Sequence, residues 1–230
     1  YGFEISLTGR QDEIQRVAAK NGISLSGITI IDTPGIISMS DEPKSILREH
    51  KDSSMAEGLR RLAAGEGDAF VSAGSTGALI MGATFFVKRI KGVSRAALAP
   101  LMPSEKGPFM LIDSGANVDC RPEMLLHFAQ MGSIYMTNVL GGDKPATVGL
   151  VNVGTEETKG GELQHAAFAL IQESGLNFVG NIEARDIPAG VADVVVADGF
   201  TGNVILKLTE GVADVFMKNI KSIFMTNTLT

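Results

Sequence analysis

The sequence has one cysteine in 230 residues, Cys120. An internal disulfide is therefore excluded, and the chain fits a reducing, cytoplasmic compartment. Histidine is almost as scarce. His50, His127 and His165 do not stand at metal-ligand spacing, so no metal site is expected. Long apolar runs are missing too. The longest one beside a glycine-rich stretch is "GALIMGATFFV" (77–87), and eleven residues cannot cross a bilayer as a helix. The N-terminus shows no basic region followed by an apolar one, the pattern of a secretory signal. No G-x-G-x-x-G follows a strand pattern, no G-x-x-x-x-G-K-S/T occurs, and no G-x-S-x-G elbow is present. These absences argue against a dinucleotide fold, a P-loop and an α/β-hydrolase site, and no cofactor is expected. Basic residues are outnumbered, 20 to 26, for a net charge of −6. That balance argues against broad nucleic-acid binding while leaving room for local basic patches.

What is present is globular: 44% of residues are hydrophobic and 20% charged. The 27 glycines gather in short polar stretches rather than in a linker. One grammar recurs, in which a short apolar run ends in glycines with Asn, Asp, Ser or Thr and a helical pattern follows. It is found in "DAFVSAGSTGAL" (68–79), "PFMLIDSGANVDCRPEMLLHFAQMG" (108–132), "TVGLVNVGTEETKGGELQHAAFALIQESG" (147–175) and "ADVVVADGFTGNVILKLTEGVADVFMKNIKSIF" (192–224). Residues 1–35 read as a helix flanked by two strands, and 36–67 as two helices, the first opened by Asp41, Glu42 and Pro43. "LNFVGNIEARD" (176–186) is another strand with a polar end. In the third block Leu163, Ala167, Leu170 and Ile171 share a helical face and Gly175 is a stop. The last helix is expected from near Val204, with Asn203 as a candidate N-cap and an apolar set of Val204, Leu208, Val212, Val215 and Ile223. Strands alternating with helices, apolar on both faces, imply one three-layer α/β/α domain with a mainly parallel sheet.

Ligands of open α/β sheets bind beyond the carboxyl ends of the strands. All the glycine- and hydroxyl-rich stretches fall at that edge, where backbone N–H groups and helix N-termini favour an anion. Any one such turn needs glycine simply to turn; four together point to a shared polar cleft. Cys120 stands at a helix start with no base partner visible in the sequence, and reads as incidental rather than as a nucleophile. His127 and His165 lie within helical patterns and read as packing or surface residues.

The blocks "KDSSM" (51–55), "SAGSTGAL" (72–79), "GANVD" (115–119), "NVGTEETKG" (152–160), "GNIEARD" (180–186) and "DGFTGN" (198–203) occur here in the order found in another group of proteins. With them the chain resembles, over essentially its whole length, the bacterial phosphate acyltransferases of phospholipid synthesis (the PlsX family). The resemblance implies a fold similar to the isocitrate/isopropylmalate dehydrogenases and phosphate acetyltransferases, and a homodimer. It also implies transfer of the acyl group of acyl-acyl carrier protein to inorganic phosphate, giving acyl phosphate and free carrier protein. Two departures stand out. The family usually has Asn where Ser75 stands here, and a hydroxyl has a shorter reach. The family's opening strand, ending in a "DAMGGD"-like stretch, and its segments beyond "TNTLT" are not in this chain, which reads as an interior fragment.

Such a reaction needs no covalent nucleophile, because phosphate is already nucleophilic and the thioester already activated. The protein must align the two, stabilise the oxyanion and exclude water. Lys159, Asn117 and Asn203 are the candidate catalytic residues, Lys159 for charge and the asparagines as neutral donors. Candidate substrate-binding residues are Ser72, Gly74, Ser75, Thr76, Gly77, Asp113, Gly115, Asp119, Asn152, Gly154, Asp198, Gly199, Thr201 and Gly202. The aspartates are repelled by phosphate and are read as orienting donors or capping helices. Residues 77–87 and the Met131–Met136 patch could line an acyl groove or belong to the core. Carrier protein is acidic, so Lys88, Arg89, Lys91 and Arg95 are the candidate docking face. Transient membrane association stays open, with no strongly basic amphipathic helix in view. A coenzyme A-dependent phosphate acetyltransferase and a non-catalytic carrier-binding scaffold are the competing readings; a coupled assay with both donors separates them.

Overall fold

The computed structural model describes residues 2–139 and 144–226. The chain forms two compact units, residues 1–92 and 93–230.

In the first unit β1 (Ile5–Gly9) and β2 (Ile28–Asp32) pair in parallel, from Ile5 opposite Ile28 to Gly9 opposite Asp32. The helix between them, α1 (Gln11–Lys20), starts where Asp32 accepts from the Gln11 N–H at 2.9 Å, so the end of one strand holds the helix after the other. A 3-10 turn (Pro43–Leu47) follows, then α2 (Ser54–Ala63) and α3 (Thr76–Gly82), which runs into a short π-helical turn (Ala83–Val87). Ser53 caps α2 through the Ala56 N–H, and Ser75 caps α3 through the Ala78 N–H. Ile46, Met55, Ala56, Leu59 and Ala78 form the core of this unit. The strand expected at the start of residues 68–79 is not formed; among the described residues that run joins no ladder.

The second unit is built on a five-stranded sheet in the order β3-β4-β7-β5-β6. β4 (Gly107–Ile112), β5 (Val148–Asn152), β6 (Phe178–Glu183) and β7 (Val194–Val196) are parallel. The edge strand β3 (Leu101–Ser104), missed in the sequence, returns antiparallel through a tight turn at Glu105–Lys106. Period-two alternation sorts the side chains. Met110, Ile112, Val194 and Val196 face one cluster with Phe128 of α4 (Pro122–Val139) and Ile171 of α5 (Glu162–Gln172). Phe109, Leu111 and Val195 face another, with Ile187 and, from α6 (Gly199–Thr226), Ile205 and Leu206. The sheet is covered on both faces, so this is the expected α/β architecture with a mainly parallel sheet. Met136 is buried in the first cluster and the partly buried Met131 packs against it.

α6 departs from expectation in two ways. It begins at Gly199, a turn earlier than the sequence pattern suggests. Its apolar set (Val204, Leu208, Val212, Val215, Ile223) is exposed along the helix, as is Phe216, so only the first turns meet the sheet.

Phe128 has no exposed surface and sits where α4 meets the centre of the sheet. Phe128→Ala is expected to remove ~3–5 kcal/mol of stability. Chemical denaturation checks this through a lower midpoint at an unchanged slope.

Candidate active site

Because β4, β7 and β5 are neighbours and parallel, their carboxyl ends share one edge of the sheet. Each end carries one of the glycine-rich loops.

At the end of β4 the chain winds around a carboxylate. Asp113 is fully buried. Its Oδ1 accepts from the N–H groups of Leu98 (3.0 Å), Gly115 (3.1 Å) and Ala116 (3.0 Å). Its Oδ2 accepts from the Asn117 N–H (2.7 Å) and Asn117 Nδ2 (2.8 Å). Burying a carboxylate costs several kcal/mol unless its lone pairs are filled, and here five donors fill them. Asn117 Nδ2 also donates to the Ala96 carbonyl at 2.8 Å. Asp113 and Asn117 thus hold residues 96–98 and 113–117 together.

The end of β7 locks onto that loop. Asp198 caps α6: Oδ1 accepts from the N–H groups of Phe200 (3.0 Å) and Thr201 (2.9 Å), and Oδ2 from the Thr201 hydroxyl (2.7 Å). The cap is therefore Asp198 and not Asn203, because a carboxylate at the strand end reaches the N–H groups two and three residues on. The Gly199 N–H donates to the Asn117 carbonyl at 2.8 Å, and a Cβ on Gly199 would stand 2.5 Å from that same oxygen. A Cβ on Gly202 would overlap the Asp113 carbonyl oxygen. Both glycines are there for close approach. Asn203 turns back across the gap and donates through Nδ2 to the Ser114 carbonyl at 3.2 Å. Gly115, at φ +139, lies against it; a Cβ there would be 3.0 Å from Nδ2. Asp119 is exposed beyond the loop.

At the end of β5 two asparagines carry the loop to α5. Asn152 accepts from the Val153 N–H (2.8 Å) and donates to the Lys159 carbonyl (2.9 Å). Asn181, buried in the neighbouring β6, donates to the Glu156 carbonyl at 3.0 Å. Asn181 was not a sequence candidate; its signal was an amide in the middle of an apolar strand. Gly154 is buried, and the Lys159 stem covers it, with Cγ 3.0 Å from where a Cβ would stand. Lys159 itself is exposed. The residue before α5, Gly161, has no side chain with which to cap it.

Ser72–Gly77 belong to the first unit. Ser72 Oγ accepts from the Gly74 N–H at 3.1 Å, and Ser75 is the buried cap of α3. Thr76 is exposed at the first position of that helix. The bare Gly74 and Gly77 admit the Met55 methyl and the Pro43 ring, which a Cβ would approach to 2.9 and 2.8 Å. Lys88, at φ +71, Arg89 and Lys91 are exposed at the end of the first unit, and Arg95 is exposed early in the second. Cys120 Sγ points at the Asn117 carbonyl (3.3 Å). Burial pushes its thiol up, the carboxylates of Asp113, Asp198 and Asp119 add to that, and a hydrogen bond from Gly199 offsets part. That is the reverse of an activated nucleophile. Among the described residues no group of three His, Cys, Asp or Glu could hold a metal.

The family described as fatty acid synthesis protein matches residues 1–229. A phosphate acyltransferase of Clostridium acetobutylicum is 48% identical over 226 residues, 98% of this chain and 68% of that protein. One of Clostridium tetani is 45% identical over 225 residues, 98% of this chain and 67% of that protein. Among solved structures a phosphotransacetylase from Streptococcus pyogenes superimposes at TM-score 0.64 with 17% identity, over 90% of this chain and 73% of that one. The EutD phosphotransacetylase from Staphylococcus aureus does so at TM-score 0.61 with 19% identity, over the same shares. The fold is thus that of the phosphotransacetylases. The chain belongs to the fatty acid synthesis protein family.

Asp113→Asn tests the loop's dependence on its carboxylate. One amide oxygen would keep its three donors, but an NH2 would face the Asn117 N–H and Nδ2. The expected loss is ~2–4 kcal/mol, read as a fall in melting temperature. Amide exchange at residues 114–117 is expected to accelerate more than at β5.

Proposed function

We propose that this chain belongs to an enzyme that transfers a fatty acyl group from acyl-acyl carrier protein to inorganic phosphate. The acyl phosphate formed would feed phosphatidic acid synthesis. The observation that carries the reading is the 48% identity to a phosphate acyltransferase across 98% of the chain, which takes in the strand-end loops. The likeness to phosphotransacetylases is a likeness of fold and favours no particular donor.

In the proposed reaction a phosphate oxygen attacks the thioester carbonyl, the C–S bond breaks and the carrier leaves as thiolate. Lys159 supplies positive charge for the anion, and the N-terminus of α5, where Gln164 Oε1 accepts from the Gly161 N–H at 3.2 Å, adds its dipole. Asn117 and Asn203 keep the β4 and β7 loops in register beside it; both amides are engaged by carbonyl oxygens, at 2.8 and 3.2 Å. Of the remaining candidates, those from Asp113 to Gly202 shape the substrate site at the sheet edge, and Ser72 to Gly77 are proposed as binding residues of the first unit. The exposed stripe of α6 supports a homodimer, since contiguous apolar surface of that kind marks an interaction site. No helix among the described residues is long and apolar enough to cross a membrane. A cytoplasmic enzyme that meets the membrane only at its surface is the reading that accompanies this function.

The direct test measures acyl phosphate formation by this chain and by a longer form, with acyl carrier protein and with coenzyme A as donors. Product with coenzyme A alone would move the assignment to an acetyltransferase-like enzyme, and phosphate binding without turnover by the longer form would leave a scaffold.

Lys159→Ala in the active form should lower kcat/KM ten- to a hundred-fold, the equivalent of ~1.5–3 kcal/mol for a charge-assisted hydrogen bond. Wild-type kinetics would remove Lys159 from the site.

Reversing Lys88, Arg89 and Lys91 to Glu should raise KM for acyl-acyl carrier protein, most at low salt where exposed charges are least screened. A carrier-free acyl thioester is the control; an equal loss with it would mean the effect is not docking.

A further inference from the structure

Lys159 sits in the loop between β5 and α5, residues 153–161, and side chains from three elements take hold of that loop by its carbonyl oxygens. From β6, Asn181 Nδ2 donates to the Glu156 carbonyl at 3.0 Å. From α5, His165 Nε2 meets the Thr158 carbonyl at 3.1 Å. A carbonyl only accepts, so in this contact Nε2 carries the hydrogen. From β5, Asn152 Nδ2 donates to the carbonyl of Lys159 itself at 2.9 Å.

Stability does not account for Asn181. The residue is only 5% exposed, and its Oδ1 has no donor among the described residues. A buried polar atom left unpaired costs free energy. An apolar residue of similar shape would avoid that cost in a strand whose next residue, Ile182, lies in the core. What the amide adds is a donor aimed at the Lys159 loop. His165 is exposed, where a hydrogen bond competes with water and adds little stability. The backbone they hold is one on which small shifts matter. Lys159 Cγ and Glu156 Oε2 both lie over Gly154, 3.0 and 2.8 Å from where a Cβ would stand. Any movement of the chain between these two residues changes how near the carboxylate comes to the ammonium.

We infer that Asn181 and His165 are positioning residues for Lys159. By tying the Glu156 and Thr158 carbonyls to β6 and α5, they fix the backbone from which the Lys159 side chain leaves. The same ties keep Glu156 in a set place beside it. Neither residue touches the substrate in this role; both act through the ammonium. The inference rests on the part given to Lys159 in the reaction proposed above.

The test is a double-mutant cycle in the longer, active form. Asn181→Leu removes the donor and the unpaired oxygen together, and His165→Ala removes a ring from an exposed helix position. Each is made alone and with Lys159→Ala. Alone, each should lower kcat/KM for inorganic phosphate roughly tenfold, as misplacing a reacting group does, with the melting temperature undiminished. Beside Lys159→Ala each should cost less than about twofold, because no ammonium is left to position. His165→Gln keeps a donor and should restore most of the activity. An equal loss on both backgrounds, or no loss on either, overturns the inference and leaves the proposed reaction standing. Wild-type kinetics for Lys159→Ala alone takes Lys159 out of the site and overturns the inference with it. A lower melting temperature for Asn181→Leu makes Asn181 a structural residue and overturns its part; His165 is decided by its own cycle. If the longer form makes no acyl phosphate, the proposed reaction fails, and the cycle is read from the affinity for inorganic phosphate by calorimetry. Coupling to Lys159 there supports positioning, and its absence overturns it.

Discussion

The second unit depends on one buried carboxylate. Asp113 sits at the end of β4 where the chain leaves the sheet, with no exposed surface, and five N–H donors converge on it. Without those donors a charge could not stay there; without the charge the donors would have no common partner. The consequence is geometric. Residues 114–117 are wound into a tight loop whose carbonyl oxygens point outward, and two of them, Ser114 and Asn117, receive the Asn203 amide and the Gly199 N–H from the neighbouring strand end. The position of α6 follows from the position of a loop that is itself set by a side chain.

That arrangement accounts for glycine at two of the positions in "DGFTGN". Gly199 and Gly202 lie against the backbone of Asn117 and Asp113, closer than any side chain permits. The rest of the stretch is capping chemistry, with Asp198 taking the first-turn N–H groups and the Thr201 hydroxyl. So small, polar residues at the end of a buried strand serve first to weld two strand ends together. Any chemistry at that edge borrows its rigidity from this weld, which is what positioning catalysis demands.

Much of the fold was legible because its signals are local. β4, β5, β6 and β7 announce themselves as apolar runs with polar ends, and α5 by a face shared by Leu163, Ala167 and Ile171. What was not legible depends on partners distant in sequence. Asn203 looked like a cap because it precedes an apolar helical pattern; only the fold brings Ser114 to it, 89 residues away. Asn181 passed unnoticed because its contact is the Glu156 carbonyl on another strand's loop. The strand expected at the start of residues 68–79 had the right composition but requires a neighbour, and strand propensity without a ladder produces no strand. The α6 stripe was correctly periodic, yet periodicity says that a face is apolar and not what covers it.

The charge pattern at the sheet edge resolves an apparent conflict between three aspartates and an anionic substrate. Asp113 and Asp198 are surrounded by backbone and side-chain donors, eight hydrogen bonds between them, so their negative potential is spent inside the β4–β7 weld. Asp119 is exposed and screened by solvent. On the β5 side the loop has a different character. Its asparagines are neutral and its one cation, Lys159, is exposed, but so are Glu156, Glu157 and Glu162, the last of which opens α5 after Gly161. One edge of one sheet therefore has a rigid end at β4 and β7 and an end of mixed charge at β5. In the reaction proposed above, Lys159 has to act on the anion at short range, because its neighbours cancel its charge at a distance, and the weld is the rigid wall beside it.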